Sequence, residues 1–237
     1  MIKSSPETEA DRALAALRTA IVEGDLPPGM RLTVAALSGR LGFGTMPLRQ
    51  ALLRLTGEGL VESDPHRGAR VVRLDATRIR GLYRLRAAVL SILIPDVVAQ
   101  ATAAELDGLE DLEQVCEAAV TAGDIGGFLS ANQRFHHALH AIGRDPDALG
   151  VLDRTWPLVD ALRRRHGFGQ ERLAGSIASH RVLLIALRAR DVAAATAESV
   201  RSSNHAMNDL LALEAVAVPL NESKGPVRHP STVPARC

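Results

Sequence analysis

The residues best suited to chemistry in this chain lie in its second half. Asn132 and His136 stand four positions apart, so on a helix both project from one face. They share the stripe Phe128, Asn132, Phe135, His136, Leu139 and Ile142, whose spacing turns it toward a core. His180 falls in a second inward stripe with Ile177, Leu184 and Leu187. Polar groups inside a helical bundle need partners, and a metal ion is one way to supply them. Hydrogen bonds between His136 and His180, or to water or a ligand, are another. Enzymatic chemistry has less to stand on. No P-loop, nucleophile elbow, GxGxxG or HExxH occurs, and the repeated Glu-x-x-His of di-metal bundles is missing. A bundle metalloenzyme using Asn132, His136 and His180 stands as an alternative reading.

The elements that must position these residues follow from periodicity. Beyond Asp75 the pattern is helical, with helices expected over 76–100, 103–122, 124–142, 146–166, 170–189 and 191–215. Their short connections favour antiparallel packing, and Pro95 is expected to kink or end the first of them. Upstream, Leu14, Leu17 and Ile21 mark an amphipathic helix within 8–23 that ends at Gly24. Thr33 is a suitable N-cap for a second helix over 34–41, which stops at Gly42. A third starts near Thr45 and runs through Leu48, Leu52 and Leu55. Two short helices about a Gly-containing turn form a helix-turn-helix pattern. Residues 60–63 and 69–74 then become strand-like around Asp64-Pro65-His66-Arg67-Gly68, the signature of a β-hairpin wing.

The expected fold is therefore mainly α: an N-terminal winged helix-turn-helix (three helices plus a β-hairpin wing) and a C-terminal antiparallel helical bundle. The expected domains are 8–75 and 76–216. Residues 217–237, rich in Pro and without an apolar period, are expected to be a disordered tail.

Composition narrows the function classes. The 237 residues are 46% hydrophobic and only 3% aromatic, which argues for an aliphatic core and against base stacking as a binding mode. Cys116 and Cys237 form no CxxC and no disulfide framework. The start lacks the apolar stretch of a signal peptide, and the apolar run Ala87–Ile94 is far shorter than a membrane span. A cytoplasmic protein without a membrane partner is expected. Net charge is only +1, yet residues 26–74 carry Arg31, Arg40, Arg49, Arg54, Arg67, Arg70 and Arg73 against Glu58, Glu62 and Asp64, a local charge of +4. A locally basic module on a neutral chain suits docking of one face on phosphate.

The run Gly24-Asp25-Leu26-Pro27-Pro28-Gly29-Met30-Arg31-Leu32, then Leu41-Gly42, Pro47-Leu48-Arg49-Gln50-Ala51-Leu52, Arg54-Leu55, Gly59-Leu60-Val61 and Arg67-Gly68-Ala69, resembles the DNA-binding domain of GntR regulators across residues 10–74. Residues 76–215 are similar to the FCD-type effector domain of the FadR-like subfamily, through Leu85-Arg86, Phe135-His136, Ser179-His180, Leu183, Ala186-Leu187 and Asp191. The resemblance implies a homodimeric, ligand-responsive transcription regulator, a repressor by preference, on pseudo-palindromic double-stranded operator DNA. The third helix would enter the major groove and the wing would meet the adjacent backbone or minor groove. Candidate DNA contacts are Arg31, Arg40, Thr45, Met46, Arg49, His66, Arg67 and Gly68. Where the family usually has Ser-Arg-Thr, this chain has Gly44-Thr45-Met46, losing an arginine whose bidentate base contact gives about 1–3 kcal/mol of discrimination. Thr45 is expected to cap the helix and bond a phosphate, and Met46 to pack on a thymine methyl. A winged-helix interaction module with reduced DNA affinity is the corresponding alternative.

For the second domain the resemblance implies one divalent metal, Zn²⁺ or Ni²⁺, held by an Asp or Asn and three histidines. Asn132, His136 and His180 match that set. The last histidine aligns with Ser202, while His205 lies one turn farther on. A small organic acid is the implied effector, with Arg86 or Arg134 as a carboxylate clamp and Ser202 nearby. Leu90 stands where an acidic residue is usual. Arg163-Arg164-Arg165 is expected to be a solvated face.

Overall fold

A computed structural model describes residues 8–64, 68–73, 75–166 and 170–217. Helix α1 (Glu9–Val22) starts on a capping box: Asp11 N–H donates to Thr8 Oγ1, and Thr8 N–H donates to the Asp11 carboxylate. Helix α2 (Val34–Leu41) is capped by Thr33 and terminated by Gly42 at φ +74°, the left-handed value glycine adopts at little cost. Helix α3 (Thr45–Gly57) buries Leu48, Ala51, Leu52 and Leu55. Ion pairs Arg18–Glu58 and Arg54–Asp11 clip α1 to α3 across their rims.

Strands β1 (Arg31–Leu32), β2 (Val61–Asp64) and β3 (Gly68–Val71) form an antiparallel sheet in the order β1-β3-β2. The β2–β3 hairpin is the expected wing, with Asp64 opposite Gly68. Strand β1 was not anticipated: two residues are too few to show an alternating pattern, and Arg31-Leu32 pairs with Arg70 and Ala69 only through the tertiary fold. Gly68 has φ +90°, so any side chain there would strain the wing. His66 and Arg67 lie outside the described residues, as does Leu74 at the end of the expected second strand.

The remaining elements are α4 (Ala76–Gln100), α5 (Ala103–Thr121), α6 (Ile125–Ala141), α7 (Pro146–His166), α8 (Gln170–Arg188) and α9 (Val192–Ala217). Asp75, Thr102 and Asp124 cap the first three through their side chains. α4 lies along α9, and α5 packs on α6 and α8. α4 continues through Pro95 and does not end there. The flanking Leu93, Ile94, Val97 and Val98 are all buried, and that packing outweighs the backbone bond that proline forfeits. The break expected at Gly167-Phe168-Gly169 and the tail from residue 218 lie outside the described residues.

The core spans the join between the two halves. Leu17, Leu48, Leu55 and Val71 of the winged helix share one cluster with Ile79 and Tyr83 of α4, Leu158 of α7 and Leu210 of α9. α1 also packs on α7. A second cluster holds Leu93, Ile94, Val97, Leu109, Phe135, Leu139 and Leu187. Among the described residues no helix is long and apolar enough to cross a membrane. Leu48, fully buried at the centre of the helix-turn-helix, provides a direct test. Leu48→Ala should lower the unfolding free energy by about 2–5 kcal/mol in urea titrations, and a loss below ~1 kcal/mol would contradict this packing.

Candidate nucleic-acid face and effector cavity

On α3 the residues opposite the buried stripe are Thr45, Met46, Arg49, Gln50 and Leu53, all exposed. Met46 is 64% and Leu53 74% exposed, an unusual display of large apolar groups beside a charge on one helix face. Arg54 is held by Asp11, whereas Arg49 has no ion pair or hydrogen bond among the described residues and is free to reach outward. Gly44, not Thr45, is the N-cap. Its backbone is extended and it offers no side-chain bond, while Thr45 already occupies the first helical position. The leading N–H groups of α3 are thus uncapped by any side chain, and such a terminus favours a phosphate oxygen. Arg40, in the last turn of α2, and Arg31, on β1, are both exposed.

The helical domain holds a partly open cavity of about 90 Å³ between α4, α6, α7, α8 and α9. Arg86 forms part of its wall and is 6% exposed. One of its terminal nitrogens donates to the Leu152 carbonyl at 3.1 Å and to Thr155 Oγ1 at 2.7 Å. Its guanidinium lies 5.3 Å from the centre of the Trp156 ring. These partners are neutral. Among the described residues no carboxylate forms an ion pair with Arg86; Asp153 acts on it only at longer range, and burial pulls its pKa down.

Beside it stand the histidines. His180 Nδ1 meets Glu113 Oε2 at 2.5 Å, and Phe135 stacks on the His180 ring at 4.1 Å. The other His180 nitrogen, Nε2, faces His136 Nε2 at 3.4 Å. His140 stacks on His136 at 5.8 Å between centroids and is 3% exposed. Burial, then the neighbouring His180, holds His136 well below the usual histidine value; burial and Arg86 push His140 down to about 3. Both rings are therefore neutral at pH 7.

This arrangement accommodates a divalent ion on the cavity side. Two nitrogens bound at about 2.0–2.1 Å to one tetrahedral ion lie roughly 3.4 Å apart, the separation seen between His136 and His180. The Glu113 carboxylate on the outer nitrogen of His180 is the support that metal-binding histidines commonly have. Asn132 and Ser202 line the same wall. A second trio, Glu113, Cys116 and His180, also has its ligand atoms close together. It fits an ion less well, because burial drives the Cys116 thiol up to about 12, and the His180–Glu113 spacing is that of a hydrogen bond.

The neutral histidines also fix an acid response. The unfolded chain binds protons at these sites below about pH 6.5, and the folded chain does not until far lower. In metal-free protein, stability should therefore be full above pH 6.5 and fall toward pH 3, by about 1.4 kcal/mol per pH unit for each histidine. Denaturant titrations across that range measure it. His140→Gln should flatten the slope, and an unchanged slope would contradict the assignment.

The structure thus brings Arg86, Asn132, His136, His180 and Ser202 to one cavity. It does not bring His205 or Arg134 there. The inward face of α9 is Ser199, Ser202, Ser203 and Ala206, and His205 falls off it, exposed and hydrogen-bonded to Arg201. Arg134, two residues from Asn132 and so on the far side of α6, is exposed. Arg163 is not part of a solvated face. It is 3% exposed, donates to Asp209 and to the Ala206 carbonyl, and lines the cavity. The side chains of Arg164 and Arg165 lie outside the described ones. Sequence reasoning missed Glu113, His140, Trp156, Tyr83 and Arg172. Glu113 left a signal, since it interrupts the inward stripe Leu106, Leu109, Glu113, Cys116 of α5.

Comparison with known proteins agrees with this architecture. Residues 9–71 match the family of bacterial regulatory proteins called gntR, and residues 81–202 match the FCD domain. The chain is 24% identical over 190 residues to the uncharacterized HTH-type transcriptional regulator YdhC of Bacillus subtilis, covering 80% of this chain and 85% of that one. It is 27% identical over 191 residues to the HTH-type transcriptional repressor GlaR of Escherichia coli, covering 76% and 86%. The solved structure of E. coli McbR/YncC superposes with a TM-score of 0.72 at 21% identity, over 86% of this chain and 97% of that one. These relatives are regulators, which sets the metalloenzyme alternative aside. A winged helix matched to one domain and a helical cavity matched to the other make this chain a member of the GntR family of DNA-binding transcription regulators, with an FCD effector domain.

Proposed function

We propose that the chain is a homodimeric repressor whose hold on its operator is set by a small organic anion bound in the helical cavity. The observation that carries this reading is Arg86, a buried cation in the cavity wall whose hydrogen-bond partners among the described residues are neutral. An anionic ligand supplies the missing charge and accepts the remaining guanidinium N–H groups. That GlaR bears the name of a repressor supports the direction of control.

The route to DNA runs through α7. Arg86 is bonded to Leu152 and Thr155 of that helix, and one turn on, Leu158 is buried among winged-helix residues. A ligand that draws on Arg86 alters its hold on α7, and α7 bears on α1, which packs against α3. Base and phosphate contacts fall to Arg49, Met46, Thr45 and the wing. A metal ion, when bound, would be held by His136, His180 and Asn132 with Ser202 alongside, and would supply a Lewis-acidic point for a ligand oxygen.

Fluorescence anisotropy with DNA fragments from upstream of the chain's own coding region tests the function. Sequence-selective binding that weakens steeply with salt is expected; its absence under all salt and ligand conditions favours the interaction-module reading. For the metal, Zn²⁺ added at about 100 times its Kd should stabilise the wild type by about 2.7 kcal/mol in thermal unfolding and have little effect on His136→Ala. Equal stabilisation of both proteins would contradict the ligand set.

A further inference from the structure

We infer that the cavity takes a small dicarboxylate, with one acidic group at Arg86 and the other at a second subsite built from Arg172, Tyr83 and Ser203. This inference rests on the reading of the cavity as the effector site.

The first ground is a set of buried polar atoms that make no hydrogen bond among the described residues. Tyr83 Oη, Ser203 Oγ and Arg172 Nε are buried and make no hydrogen bond, and all three residues line the cavity. Tyr83 is 2% and Ser203 9% exposed, so neither is served at the outer surface. Each of the three atoms can donate, and a ligand oxygen is the kind of group that would accept from them.

Charge is the second ground. Three arginines line the cavity: Arg86, Arg163 and Arg172. Asp209 accepts from Arg163 and lies 3.9 Å from Arg172 Nε, so one carboxylate stands between two guanidinium groups. Asp160, which lines the cavity, has an interaction of its own. Among the described residues Arg172 otherwise donates to Ser176 Oγ, and no carboxylate is bonded to Arg86, on which Asp153 acts at longer range. One buried and one part-buried cation, both incompletely neutralised, favour a ligand with two negative charges.

Spacing separates the two charges. Arg86 is anchored at Thr155 of α7, while Arg172 approaches the Asp209 carboxylate that Arg163 of the same helix holds. Eight residues along a helix correspond to about 12 Å between those anchor points. Tyr83, whose hydroxyl is buried without a hydrogen bond among the described residues, lines the same cavity as both arginines. A chain with an acid at each end can serve the arginine held at Thr155 and the arginine beside Asp209 together.

The test is calorimetric titration of the full-length protein with straight-chain mono- and dicarboxylates of roughly four to eight carbons, compared at equal chain length. In the wild type the best dicarboxylate should bind at least about tenfold tighter than the monocarboxylate of equal length. That ratio should fall to within about twofold in Arg172→Met, and by several-fold in Tyr83→Phe, which removes only a hydroxyl and guards against a folding defect. No advantage for any dicarboxylate in the wild type, or an advantage that persists in both variants, overturns the second subsite. Monocarboxylate binding that survives unchanged in Arg86→Met instead overturns the effector-site reading itself.

Discussion

Arg86→Met is expected to abolish the ligand response while leaving the free protein as stable as the wild type, or more so. Arg86 is a buried cation whose partners are the Leu152 carbonyl, Thr155 Oγ1 and the Trp156 ring, none of them charged. Removing an uncompensated charge from an apolar wall relieves desolvation, and exchanging buried ionic groups for apolar ones of similar volume is often neutral or stabilising by about 1–4 kcal/mol. The same change deletes the group that meets the ligand's acid. Hydrogen bonds to charged partners are worth about 1.5–3 kcal/mol each, so a two-bond clamp represents a hundredfold or greater loss of affinity. Thermal unfolding with and without an organic acid measures both effects. A variant that loses several kcal/mol of stability, or still responds to the acid, would show that Arg86 serves the fold and not the ligand.

Arg49→Ala should have the largest effect on DNA binding of any single change on α3. Arg49 is exposed beside Met46 and Leu53 and has no competing partner, whereas Arg54 is tied to Asp11. Loss of a charge-assisted phosphate or guanine contact costs about 1–3 kcal/mol in each half-site, and a dimer loses it twice. Affinity for the preferred site should therefore drop at least about thirtyfold, and the slope of log affinity against log salt should become shallower by about two. Arg54→Ala is the comparison: its guanidinium is held by Asp11, so a smaller loss is expected. Equal losses would mean that the face owes its affinity to diffuse charge.

The fold was legible because its signals are local. Leu14, Leu17 and Ile21, the N-cap Thr33, and the turn glycines Gly42 and Gly68 each mark a boundary in one dimension, and the elements begin and end close to them. Strand β1 escaped because a two-residue strand exists only through its pairing with β3. The cavity was half legible for the same reason. Asn132, His136 and His180 sit on periodic stripes that declare which way they face. His205 and Arg134 were chosen by position, and helical geometry turns both outward. Arg163 looks like surface charge in a run of three arginines. Its burial depends on Asp209, which is far along the chain and meets it only when α7 packs on α9.

The most direct test of the account is the DNA affinity of the wild type and of Arg86→Met, measured by anisotropy on a site selected from genomic fragments, with small dicarboxylic acids added in turn. The account predicts salt-steep binding to a palindromic site by both proteins, and release by an acid from the wild type alone. Binding with no sequence preference, or release that is equal in the two proteins, would contradict it.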